Sequence, residues 1–112
     1  MSYYLSELYS PKPAWLALSA QQRQQFFATI GAGMQQLADF GIEPIAFGEV
    51  ASNKLHPAPQ QFYAFWKFPN EEAADSLLAG IAATGWHDYF DTINAAGASS
   101  DMSAHLQQLA SL

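Results

Sequence analysis

A chain of 112 residues, half of them hydrophobic, has the size and apolar content of one folded domain, and global disorder is excluded. A net charge of −6 leaves Lys12, Arg23, Lys54 and Lys67 as the fixed cations, which argues against nucleic acid, nucleotides and polyphosphates as partners. With no cysteine, no basic-flanked leader and no apolar run of membrane length, disulfides, thiolate chemistry and thiol metal sites are excluded, and the chain reads as a soluble cytoplasmic protein with no membrane partner.

Tyr3–Tyr9 reads as a first strand, with Tyr3, Leu5, Glu7 and Tyr9 on one face and Tyr4, Ser6 and Leu8 on the other. Ser10–Leu18, with Pro11 and Pro13, reads as a loop anchored by Trp15. Ser19 followed by Gln22 is a capping-box signal. It predicts a helix to about Phe40 with a stripe of Phe26, Phe27, Ile30, Met34, Leu37 and Phe40, stopped by Gly41. Gly31 and Gly33 inside this helix each cost roughly 1 kcal/mol against alanine.

Glu43–Ser52 is the second predicted strand, and Asn53–Gln60, with His56, Pro57 and Pro59, a long stiffened loop. In Gln61–Phe68 the alternation puts Phe62, Ala64, Trp66 and Phe68 on one face and Tyr63, Phe65 and Lys67 on the other. Both faces are mainly apolar, so both require cover. Helices of one small domain supply one cover; the other calls for a second copy, another protein or a ligand. Asn70 caps a second helix, with Glu71 and Glu72 in its first turn, a stripe of Ala74, Leu77, Leu78 and Ile81, and an end at Gly85.

Trp86–Ala95 carries two patterns. Trp86, Tyr89, Phe90 and Ile93 have helical spacing, while Tyr89–Ile93 is also β-compatible. A strand beginning near Tyr89 is favoured because it closes the element order. Ser99–Leu112 reads as a last helix, started by Ser99 or Ser100, with Met102, Leu106 and Leu109 on its inner stripe.

The resulting β-α-β-β-α-β order is that of a ferredoxin-like α+β sandwich with a C-terminal helix, in one domain spanning 1–112. Together with the doubly apolar third strand, it resembles the dimeric α+β-barrel superfamily, in which two such sheets pack face to face with the helices outside. The Trp15 loop, the aromatic strand ending in WKFP, and Gly85–Phe90 (GWHDYF) with Asn94 beyond it resemble an uncharacterised branch of that group. Its relatives include cofactor-independent monooxygenases, muconolactone isomerases, haem-degrading enzymes and stress-induced proteins. The resemblance implies a homodimer and a pocket between sheet and helices. It carries over no catalytic residue and selects no chemistry.

Among candidate groups, the span Gly85–Asn94 (GWHDYFDTIN) is the densest. His87 can exchange protons near neutral pH, a carboxylate can orient it, and Tyr89 can hydrogen-bond a carbonyl or enol. The competing assignment makes Trp86, Phe90 and Ile93 core and leaves His87 and Asp88 on an exposed turn. Glu7 and Glu49 each interrupt an apolar strand face. Buried, either would have a raised pKa suited to general acid–base work; at an edge, or paired with Lys67, neither would. His56, His87 and His105 lack metal-ligand spacing, so no metal and no cofactor is expected, and His105 reads as a partly buried, hydrogen-bonded side chain of the last helix. The candidate set is thus His87, Tyr89 and Glu49 for catalysis, with Trp15, Trp66, Trp86, Asp91 and Asn94 as ligand contacts. Few cations and many aromatics point to a small apolar or aromatic carbonyl ligand. The chain is then a cofactor-independent monooxygenase or isomerase, or else a non-catalytic homodimeric binding or assembly protein whose aromatics are core and interface.

Overall fold

A computed structural model describes residues 2–112. In chain order it contains β1 (Tyr3–Pro11), the single turn α1 (Pro13–Leu16), α2 (Ala20–Met34), a 3-10 turn (Leu37–Phe40), β2 (Glu43–Glu49), β3 (Phe62–Phe68), α3 (Glu71–Ala83), the single turn α4 (Trp86–Tyr89), β4 (Phe90–Ala98) and α5 (Met102–Ala110). The four strands form one antiparallel sheet in the order β2-β3-β1-β4, the ferredoxin-like arrangement. β1 is therefore central, paired with β3 along one edge and with β4 along the other.

Local chemistry fixes the ends of the elements. The Ser19 hydroxyl accepts from the Gln22 amide, and the Gln22 side chain accepts in return from the Ser19 amide, closing the capping box of α2. Asn70 Oδ1 accepts from the Ala73 amide at the start of α3. Gly85, at φ 84°, takes the left-handed conformation that stops α3 and lets the chain turn into α4. Pro13 occupies the start of α1, where its missing N–H and fixed φ favour helix, so the Ser10–Leu18 segment contains a helical turn rather than loop throughout.

Other boundaries depart from the sequence expectation. α2 ends at Met34 and does not run to Phe40. Gly31 and Gly33 weaken its last turns, and the chain passes through the 3-10 turn before Gly41 reverses it at φ 73°. β2 stops at Glu49 rather than Ser52, and its register slips between Pro44 and Ala46, where proline cannot donate to the ladder. Both patterns in 86–95 are realised in succession, one helical turn and then a strand that begins at Phe90. Asp101, not Ser99 or Ser100, caps α5 through the Ala104 amide; Ser99 instead donates its amide to the Ser2 carbonyl.

The two faces of the sheet differ in their cover. Leu5, Ala64, Trp66 and Phe68 point to one side and are buried with Ile42 and with Ala74 and Leu77 of α3. Beside this core, the Trp15 ring packs 4.8 Å from Phe90 and 5.1–5.6 Å from Phe26, Phe27 and Tyr89. Arg23 donates to the Trp15 and Leu16 carbonyls and lies over the Trp15 ring, tying α2 to α1. The opposite face stays uncovered, with Tyr4 40%, Phe65 37% and Ile93 54% exposed. α5 is also uncovered: Met102, Leu106 and Leu109, expected as an inner stripe, are all exposed, as is His105, whose ring Nδ1 lies 3.0 Å from Gln108 Oε1.

Trp15 joins α1, α2 and the α4–β4 junction. Trp15→Ala should cost about 3–5 kcal/mol in urea unfolding, the usual loss for a buried aromatic. The neighbouring exposed Leu16→Ala should stay within about 0.5 kcal/mol.

Candidate functional site

The buried face of the sheet meets α2 and α3 across a gap that the side chains do not fill. A cavity of about 420 Å³, open to solvent, lies there. Its floor is Glu7, Tyr9, Ala64 and Trp66 of β1 and β3; Phe27 and Ile30 of α2, Leu77 and Gly80 of α3, and Trp86 of α4 form its walls. Alternation along β1 explains the floor. Tyr3, Leu5, Glu7 and Tyr9 share the face turned to the helices, with Leu5 and Glu7 buried and Tyr3 and Tyr9 half-buried. No residue of α2 is fully buried, so this helix walls the cavity without filling it.

Glu7 is the one carboxyl in this mainly apolar lining. It is only 4% exposed, and the Trp66 indole Nε1 donates a hydrogen bond of 2.8 Å to its Oε1. The pairing joins adjacent central strands, since Leu5 faces Trp66 and Glu7 faces Ala64 in the ladder. Burial pushes the Glu7 carboxyl above its ordinary pKa of about 4.5, and the Trp66 hydrogen bond offsets only part of that rise. Tyr9, two residues along the same face, is also pushed up, first by burial and then by the negative charge of Glu7, so its hydroxyl remains a donor. A carboxyl and a phenol thus border one mainly apolar space, a pair suited to moving a proton and to hydrogen-bonding a developing oxyanion.

The expected site residues are distributed unevenly around this cavity. Trp66 and Trp86 line it. Trp15 is buried in the adjoining aromatic cluster, and Tyr89 packs there against Trp15 and Phe26. His87 is exposed on the α4 turn, where its backbone carbonyl accepts from Lys12 Nζ at 2.6 Å. Asp91 lies 3.9 Å from the same ammonium, its side chain 79% exposed, a pairing of little energetic weight. Asn94 sits opposite Glu7 in the β1–β4 ladder and is exposed. Glu49 is exposed at the end of β2 and borders a separate hollow with Val50, Ser52 and Gln60. Of the two strand glutamates, Glu7 is the buried one, against the edge position that its charge alone favours. The signal for it lay in the topology. A ferredoxin-like order makes β1 central, so Glu7 has no open sheet edge beside it, and it shares the helix-covered face with Leu5.

Residues 2–112 match DUF6616, a family of unknown function, and the chain belongs to that family. No functionally curated protein matches it. Among solved structures, it is similar to a crystal structure described as a candidate chlorite dismutase, with a TM-score of 0.55 and 13% identity over 81% of this chain. The chain spans 39% of the length of that protein. The solution structure of a hypothetical Arabidopsis thaliana protein aligns with 89% of each chain at 17% identity and a TM-score of 0.49. The first likeness bears out the ferredoxin-like α+β fold.

The Glu7 shift has a signed consequence. The folded state holds this proton more tightly than the unfolded state, so its contribution to stability is fully present below a pH of about 4.5 and is lost as pH rises through the raised folded value. Glu7→Gln keeps an acceptor for Trp66 and removes the charge. Its stability relative to wild type should therefore climb as pH rises from about 4 and level off once Glu7 is ionised in both states. Urea midpoints across that range check this, and a pH-independent difference would contradict it.

Proposed function

We propose that the cavity binds a small apolar or aromatic carbonyl compound and that Glu7 moves a proton on it, making the protein a cofactor-independent isomerase. The observation that carries this reading is a single carboxyl, 4% exposed, on the floor of an otherwise apolar cavity of about 420 Å³. That volume falls within the usual range for small-ligand pockets. A carboxylate with a raised pKa is a stronger base than an ordinary one, and its proton affinity moves towards neutral pH. As carboxylate, Glu7 takes a proton from the carbon next to the carbonyl. The electron pair passes to the carbonyl oxygen, where the Tyr9 hydroxyl stands as donor. Return of the proton to another carbon of the conjugated system regenerates the carboxylate and leaves an isomer. Such a shift needs no oxidant, and the same base could begin an oxygenation if dioxygen entered the cavity.

The test is hydrogen exchange in heavy water with cyclic and aryl ketones, read by NMR. Wild type should exchange the protons next to the carbonyl, and Glu7→Gln should slow this by about 100-fold or more. Gly80→Phe supplies a second arm. Gly80 lines the cavity and a Cβ there meets nothing within 4 Å, so a large side chain is expected to occupy that space without displacing the core. It should abolish ligand binding while the fold persists. Exchange that survives both changes would exclude this cavity as the site.

The uncovered sheet face supports a homodimer as the protein's assembly. Tyr4, Phe65 and Ile93 lie exposed on three adjacent strands, with Tyr63 stacked 4.9 Å from Phe65, and a second copy offers the same patch in return. Phe65→Asp should convert a wild-type dimer to monomer in light scattering; a wild type that is monomeric at micromolar concentration would refute the pairing.

A further inference from the structure

From α5 we infer an exchanged arm: its Met102–Leu106–Leu109 stripe packs on the partner subunit, beside the sheet interface. This rests on the two-fold pairing proposed above and adds a second contact to it.

The first ground is the isolation of α5 on its own chain. All nine of its residues are exposed, with Met102 at 78%, Leu106 at 56% and Leu109 at 53%. These positions recur at helical spacing and form one apolar stripe. A helix of nine residues is shorter than the roughly 12–15 that hold together alone in water, so its order calls for a packing surface. The Asp101 cap satisfies one amide at its start but hides no apolar area.

The second ground is position. β4 is an edge strand, and only residues 99–101 separate it from α5. Ser99 is pinned by two hydrogen bonds to the Ser2 carbonyl, which fixes the root of the arm at the rim of the sheet. The chain has a radius of gyration of 16.0 Å and a longest extent of 50 Å. A compact domain of this length would have a radius of about 13 Å. The chain is thus more extended than a compact domain, and α5 leaves it from the edge strand with all its residues exposed.

The third ground is area. Strands of seven and nine residues in a four-stranded sheet make a face of roughly 23–30 by 19 Å, less than the ~800 Å² that each partner commonly contributes to a stable interface. Adding the stripe of α5 from each copy closes that difference. A two-fold axis does this symmetrically, each arm crossing to the other subunit.

The absence of cysteine allows a direct test. Met102→Cys gives a unique attachment point for an environment-sensitive fluorophore. As labelled protein is diluted through the dimer–monomer transition, the emission should move from an apolar to an aqueous signature. In parallel, Leu106→Asp with Leu109→Asp should raise the dimer dissociation constant roughly 100-fold or more, because two buried leucines become unpaired carboxylates. Circular dichroism should show the sheet domain still folded. If wild type dimerises while the label stays unchanged on dilution and the double variant dimerises as tightly, the exchanged arm is refuted and the sheet pairing stands. If wild type is monomeric, both fall. If Phe65→Asp separates the subunits and the α5 changes do so independently, both hold.

Discussion

A sheet that is apolar on both faces is the constraint from which the remaining architecture follows. β3 places Ala64, Trp66 and Phe68 against the helices and Tyr63 and Phe65 on the other side. Helices in this topology can reach only one side. The chain therefore buries one face, leaves the other exposed, and keeps a gap under α2 where the cover is incomplete. Core, cavity and open face are three outcomes of one alternating pattern.

That pattern made much of the fold legible. Capping signals at Ser19 and Asn70, the glycine stops and the period-two runs led to the main elements and to the ferredoxin-like order. Boundaries failed where two influences competed. Gly31 and Gly33 shortened α2 although its apolar stripe continued to Phe40. In 86–95 a helical and a strand pattern overlapped because the chain uses both, one turn and then β4. For α5, periodicity identified a stripe correctly but could not say which body the stripe faces.

The site was less legible than the fold, for a reason rooted in tertiary contacts. A dense cluster of polar and aromatic residues, such as His87, Asp88 and Tyr89, attracts a functional reading, yet the α4 turn exposes His87 and Asp88 to water. Glu7 looks ordinary in sequence, one acid among tyrosines. Its character comes from burial beneath the helices, with Trp66, fifty-nine positions away, as its hydrogen-bond partner across the strand pair. Two tryptophans singled out from sequence, Trp66 and Trp86, do line the cavity. Large amphipathic rings are informative because an indole fills apolar space and still seeks a partner for its N–H.

The indole–carboxyl bond also sets the optical character of the protein. Of the three tryptophans, Trp86 donates to the Thr92 hydroxyl, which does not ionise in the accessible range, and Trp15 sits among rings. Trp66 alone donates to a titrating group, at 2.8 Å. Excitation shifts electron density within the indole from its pyrrole ring to its benzene ring, so a carboxyl that gains or loses its charge beside the N–H alters the emission. The chain thus carries a built-in chromophore wired to the floor of its cavity. A change in the protonation of Glu7 thereby has a readout in the intrinsic fluorescence, without any added label.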